Sequence, residues 1–278
     1  SIYNAIFQLL GEARVLLRGD DGGFPLGSAD LVYGGDADLW VKFANVLEAR
    51  GLLHLSKREN GNYAKILPLL QEGFTSSADD ALLNFGTNAT TNAPWYQFVE
   101  QRVNNCEIGA NYVALMQGLN DPRATTYGEL FSTAHPILTP DRAFPLLTYK
   151  EAKFIEAEAL LRTSGAADAE APYLEGISAS FTDALVPDDY ADYIAQDAVV
   201  PAAGLTINEI ITQKYIALYL DPEPFSDWRR TGIPALTPNT PPAVPRRLPY
   251  GDNEVKSNEN TPSLSDVTIF SRVWWDVE

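Results

Sequence analysis

The amino-acid sequence predicts a mainly α-helical chain with packed helix pairs, one long loop-rich stretch and an extended C-terminal tail. Three observations predict it. Apolar residues recur at helical spacing over Ile2–Arg18, Trp40–Leu55, Leu147–Arg162 and Thr206–Leu220. That period is lost between Thr75 and Thr148, where Gly, Asn, Thr and Pro are scattered among aromatics. Proline then becomes dense from Ile233 to Pro262, which keeps the backbone extended.

Each element has its own local reason. In the first segment Ile2, Ile6, Leu9, Leu10, Ala13 and Leu17 form one stripe. Ser1 is read as its cap, and the run Gly19 to Gly23 ends it. The turn Gly34-Gly35-Asp36 precedes a second helix, with Asp36 or Asp38 as N-cap. Its apolar face is Trp40, Phe43, Ala44, Leu47, Gly51 and Leu55, and Arg50, Lys57 and Arg58 complement the dipole near its end. A shorter helix is expected over Tyr63–Gln71, limited by Pro68. Within residues 75–148 only Trp95–Val103 reads as a short helix.

The segment Leu147–Arg162 carries two apolar stripes, Phe154/Ala157/Leu161 and Ala152/Ile155/Ala159, which implies neighbours on both sides. Gly165 breaks it, and Tyr173, Ile177, Ser180, Phe181 and Ala184 mark a partner helix, a repeat-like pair. Thr206 followed by Glu209 is a capping box, and Pro222 and Pro224 stop the helix it opens. Phe225–Thr231 adds one or two turns, and Trp274-Trp275 is expected to anchor the tail over the helices.

The chain has 278 residues, 45% apolar, enough to bury a real core. Its formal charge of −17 repels phosphate backbones and anionic membranes, which excludes nucleic acid as the expected partner. Neutral and cationic ligands remain open. One cysteine, Cys106, allows no internal disulfide and no zinc cluster, and reads as a buried core residue. No stretch is long and apolar enough to span a bilayer.

Catalytic signatures are missing: there is no P-loop, no HExxH and no GxSxG. With only His54 and His135, no three-His metal site can be assembled. His54 reads as structural. Glu156 and Glu158 leave different sides of their helix, so they do not form a hydrolytic pair, and Asp188, Asp189 and Asp192 read as a solvated helix start. Asp20, Asp21 and Asp30 lack the alternation of a calcium loop and read as a surface turn. The sequence therefore predicts no catalytic residue, no metal and no cofactor.

The suggestive constellation is Asn92-Ala93-Pro94-Trp95-Tyr96-Gln97. A sugar ring offers a flat C–H face and a polar edge. An aromatic platform of Trp95 and Tyr96 stacks on the face, while Asn92 and Gln97 hydrogen-bond the hydroxyls. The competing reading is that both rings plug the loop onto the core.

Several segments together resemble the SusD/RagB family, in its SusD-like branch. They are Asp30-Leu-Val-Tyr-Gly-Gly-Asp36, Trp40-Val-Lys-Phe-Ala-Asn45 with Leu47-Glu-Ala-Arg50, and Leu147-Thr-Tyr-Lys-Glu-Ala-Lys-Phe-Ile-Glu-Ala-Glu158. Gln213-Lys-Tyr-Ile-Ala-Leu-Tyr219, Phe225-Ser-Asp-Trp-Arg-Arg230, Pro245-Arg-Arg-Leu-Pro-Tyr250 with Glu254 and Asn258, and Val273-Trp-Trp-Asp276 follow in the family's order. The resemblance implies tetratricopeptide-like helix pairs in an α/α superhelix, with residues 1–278 one SusD-like domain from the C-terminal portion of a longer chain. It implies a non-catalytic, glycan-capturing lipoprotein on the outer-membrane surface of Bacteroidetes, serving a TonB-dependent SusC-like transporter. The lipid anchor of such a protein is absent from this chain, and its glycan-contacting aromatics lie in variable loops, which singles out Trp95 and Tyr96 by location. Two rival functions stand beside this one: a helical-repeat scaffold binding a peptide or protein, and an α-toroid glycoside hydrolase.

Overall fold

A computed structural model describes residues 2–19, 26–129, 131–263 and 266–278. Ser1, Asp20 and Asp21, which figure in the cap and surface-turn readings above, lie outside them. Twelve α-helices are present among the described residues. α1 (Ile2–Arg18), α2 (Ala37–His54) and α3 (Asn62–Gln71) pack in succession, and α3 leads onto α7 (Tyr149–Thr163) and its partner α8 (Ala166–Asp183). α10 (Ile207–Ala217) lies against both α7 and α8, with the short α9 (Tyr190–Ile194) beside them.

The helix starts follow from side-chain caps. Asp36 accepts from the amides of Asp38 and Leu39 at α2, and Thr148 from Glu151 at α7. At α10 both halves of the Thr206/Glu209 capping box form. Between α7 and α8 the chain reverses through Gly165 at φ +109°, a conformation that disfavours any side chain. Farther along α8, a Cβ on Gly176 would stand 2.9 Å from the Phe154 ring, so the missing side chain sets the close approach of α7 and α8.

Burial corrects two faces read from the sequence. α2 is enclosed on more than one stripe, burying Val41, Val46, Ala49, Leu52 and Leu53, while Trp40 and Phe43 remain only half-buried. α1 buries no residue fully; it meets α2 through Tyr3, Phe7, Leu10 and Arg14, and leaves Ile2, Leu9, Val15 and Leu16 exposed. Three cores result, one among α2, α3 and α7 around Leu53, Ile66 and Ile155, one among α7, α8, α9 and α10 around Phe154, Tyr173 and Phe181, and one where the loop-rich stretch meets Ala184 and Ile216, around Tyr112, Met116 and Tyr127.

The loop-rich stretch is more ordered than its sequence suggests. Short strands β1 (Ala81–Leu83) and β2 (Phe144–Leu147) pair antiparallel, Ala81 opposite Leu147 and Leu83 opposite Phe144, and so close the excursion at its base. Between them lie α4 (Pro94–Gln101), α5 (Ala110–Gly118) and α6 (Ala124–Tyr127); α5 and α6 are too short to show a readable period. Arg123, fully buried, locks this stretch to the helical body. It is paired with Asp121 at 2.6 Å and donates to Ser180 of α8, Tyr193 of α9 and Gln213 of α10. Cys106 is half-buried rather than part of a core.

After α10 come α11 (Glu223–Thr231) and the proline-rich tail, which contains an unanticipated α12 (Asp252–Ser257). The tail is held by Trp275 stacked on His54 at 5.7 Å and by buried Asp276, which Arg246 and Arg272 grip. Trp274 is 53% exposed, with the Arg58 guanidinium over its ring at 4.8 Å, so the anchoring expected of both tryptophans falls mainly to the second.

Candidate functional site

The two strands bring four charged groups together at the seam between excursion and body. Asp80 enters just before β1, Arg142 just before β2, Lys150 in the first turn of α7 and Asp183 at the last turn of α8. A carboxylate at a helix C-terminus meets an unfavourable dipole, and here two cations offset it. Lys150 lies 2.7 Å and Arg142 2.5 Å from the Asp183 carboxylate. Burial would raise the Asp183 pKa, but Lys150 and Arg142 hold it well below the usual carboxylate range. Asp80 forms no ion pair among the described residues. Its carboxyl is pushed up to about 6 by burial, although it accepts a 2.6 Å hydrogen bond from the Tyr149 amide.

Beside this cluster runs a row of rings. Pro94 opens α4 and places Trp95 in its first turn. The Trp95 ring, half-buried, lies 5.9 Å from Phe131, Phe131 lies 6.4 Å from Tyr219, and Tyr219 stacks on Tyr127 at 4.5 Å. His135 packs behind them, 3% exposed, within 3.4 Å of the Tyr219 hydroxyl. Burial pushes its pKa down, so it stands neutral near pH 7.

Three concavities share these residues. The first, about 190 Å³, is lined by Asp80, Arg142, Thr148, Lys150, Thr182 and Asp183. The second, about 60 Å³, takes in Arg142, Lys150 and Asp183 again and adds Pro94, Trp95 and Tyr219. The third, about 230 Å³, continues past Tyr219 and Leu220 to Phe131, Tyr112, Tyr215, Glu107 and Asp221. Consecutive concavities with common walls form a groove along the seam.

Of the four residues singled out in the sequence, only Trp95 lines this groove. Tyr96 is half-buried in the next position of α4. Gln97 turns back on its own loop, donating to the carbonyls of Ala89 and Asn92, and Asn92 is 5% exposed. Gln97 therefore braces the loop before Trp95, whereas the Asn92 side chain is buried with its amide oxygen unpartnered among the described residues. The groups beside the ring that sequence reasoning missed are Arg142, Lys150, Asp183, Phe131 and Tyr219. Lys150 and Tyr219 sit within the family-like segments Leu147–Glu158 and Gln213–Tyr219, which read as packing motifs.

A second set of charges lies inside the body. Glu151 is gripped by Arg50, Glu158 by Arg230, and Asp227 by Lys214 and Arg230 at 2.7 and 2.8 Å. His54 bridges the Tyr3 hydroxyl and Glu223, which ties α1 and α2 to α11. These groups are packed away from the groove's first two concavities. Among the described residues no cluster of three or more His, Cys, Asp or Glu is arranged to hold a metal ion. No helix among them is long and apolar enough to cross a membrane.

The model of the SusD-like family, described as starch-binding and associating with the outer membrane, matches residues 1–139 and 129–251. The chain belongs to the SusD-like family. Solved structures carry the same fold over nearly its whole length. A SusD-like protein from Bacteroidetes superposes with a TM-score of 0.82 at 20% identity, covering 99% of this chain and 76% of its own. A chitin-binding SusD homologue from Flavobacterium johnsoniae gives 0.78 at 22% identity, covering 99% and 72%. A SusD/RagB family protein of Bacteroides thetaiotaomicron gives 0.74 at 24% identity, covering 99% and 72%. No curated protein matches in sequence. Membership accounts for the order of the family-like segments and for the mainly helical, SusD-like architecture, with its excursion beside the helix pairs.

Proposed function

We propose that this SusD-like chain captures glycans at the outer-membrane cell surface, without chemistry, and passes them to a SusC-like TonB-dependent transporter. The observation that carries the reading is the Trp95 ring on the wall of a groove whose polar groups are Arg142, Lys150 and Asp183. A sugar face stacks on Trp95, and the cations and carboxylate meet hydroxyls at the ring edge. Phe131 and Tyr219 extend the apolar strip, which suits several linked sugars better than one. The chitin-binding relative makes amino-sugar polymers the first ligands to try. Gln97 acts by holding the Trp95 loop through the Ala89 and Asn92 carbonyls, and Tyr96 serves as a flanking contact.

Two features support capture over hydrolysis. Both oxygens of Asp183 are taken up by Lys150 and Arg142, so this carboxylate is not free to attack an anomeric carbon. The family description is one of binding. Affinity electrophoresis against a polysaccharide panel tests the proposal. We expect retardation by at least one glycan, weakened about tenfold or more in Trp95→Ala (about 1.4 kcal/mol) with no degradation product. Turnover of the bound glycan, or retardation indifferent to Trp95→Ala, overturns it.

A further inference from the structure

The third concavity differs from the other two in charge. Its walls are aromatic, Tyr112, Tyr215, Tyr219 and Phe131, and its only ionisable acids are Glu107 and Asp221, with no Lys or Arg among the lining residues. Asp221 is half-buried and forms no ion pair among the described residues; one carboxylate oxygen accepts the Glu223 amide at 2.8 Å. The neighbouring cations are already committed. Arg50 of α2 is bound bidentately by Glu151 of α7, Lys214 of α10 holds Asp227, and His54 meets Glu223 of α11. A carboxylate withdrawn from water is ordinarily paired. Asp221 is left facing Glu151 and Glu223 with only a share of Arg50, and burial followed by Glu151 pushes its carboxyl up to about 6.

Rings bordering an uncompensated carboxylate are the arrangement that recognises an organic ammonium, through the ring quadrupole and direct charge attraction together. The chain's formal charge of −17 adds a long-range field of the same sign. The cavity shares Tyr219 and Leu220 with the Trp95 concavity, so the two adjoin along the groove.

We propose that this cavity is a subsite for the protonated amine of an amino sugar, with Asp221 and Glu107 as its counter-charges. The inference rests on the glycan reading above. Isothermal titration of the whole chain at pH 7 compares the glucosamine hexamer with the N-acetylglucosamine hexamer, a neutral glucose hexamer and a lysine tripeptide. We expect the glucosamine hexamer to bind about tenfold or more tighter than its acetylated counterpart. That advantage should fall to about threefold or less in Asp221→Asn and Glu107→Gln, and persist in the control Glu170→Gln, which removes an exposed charge on α8. Asn at position 221 keeps the acceptor for the Glu223 amide, and a thermal melt checks that it folds.

Neutral hexamers that bind while the amine brings no advantage overturn this inference and leave the glycan reading standing. An advantage that survives both variants also overturns it. Failure of every hexamer removes both, and tighter binding of the lysine tripeptide assigns the cavity to a peptide amine instead.

Discussion

The helical body and the excursion over residues 75–148 use charge in opposite ways. In the body, Glu151, Glu158 and Asp227 are enclosed together with Arg50, Arg230 and Lys214, so buried charge is spent on joining helices. At the seam with the excursion, Asp80 and Asp221 keep no ion pair among the described residues, and Trp95 stays half-buried. Ion pairs enclosed between helices leave nothing for a ligand, whereas charged groups on the wall of a groove, paired or unpaired, stand beside half-buried ring surface that a ligand can reach. The difference teaches that a scaffold rich in buried charge can still carry its recognition chemistry at one margin.

Substitution at Arg123 should break the comparison most severely, because this residue joins the two regions. Arg123→Met leaves Asp121 buried without its cation and should cost about 3–5 kcal/mol in urea denaturation. A loss under about 1 kcal/mol would mean that the strands and the Tyr112/Met116/Tyr127 core hold the excursion without it. Gly176→Ala probes the body by itself. The new Cβ would meet Phe154 at 2.9 Å, and separating α7 from α8 should cost about 1–3 kcal/mol, read as a lower Tm without loss of glycan affinity.

Asp80 gives a pH test of the seam. Its folded-state carboxyl titrates at about 6, above the ordinary carboxylate value of about 4, so in that window the folded chain binds more protons than the unfolded one. Stability from this group therefore falls as pH rises from about 4 to about 6 and is level beyond. Asp80→Asn should remove that slope and raise stability at pH 7 by about 1–2 kcal/mol, while leaving it unchanged at pH 4. Equal melting curves at both pH values would show that Lys150 already compensates Asp80. The smallest expected effect is Trp95→Ala on folding, within about 1 kcal/mol because the ring is only half enclosed, against its roughly tenfold effect on glycan retention. A collapse of stability there would return Trp95 to the core.

Much of the fold was legible. The bounds of α1, the Asp36 cap of α2, the Thr206/Glu209 box of α10 and the break at Gly165 are local properties, decided within one helical turn of the residues that signal them. The ordered segments from Asp30 to Asp276 also pointed to the family. Less of the site was legible. Trp95 stood out because a proline and polar loop residues surround it. Arg142, Lys150 and Asp183 did not, because they lie 8 and 33 positions apart and meet only after β1 and β2 close. Gln97 is braced on its own loop and Asn92 is buried, and neither state has a sequence signature different from that of an amide turned toward a ligand.

By itself, then, the sequence determined where helices start and stop, the acidic character of the surface and the absence of familiar catalytic motifs, since caps, turns and composition act over a few residues. Tertiary structure decided which carboxylates are neutralised and which are left open. Side-chain charge is fixed by residue type, but its compensation depends on what another helix, often more than fifty positions away, brings within hydrogen-bonding distance.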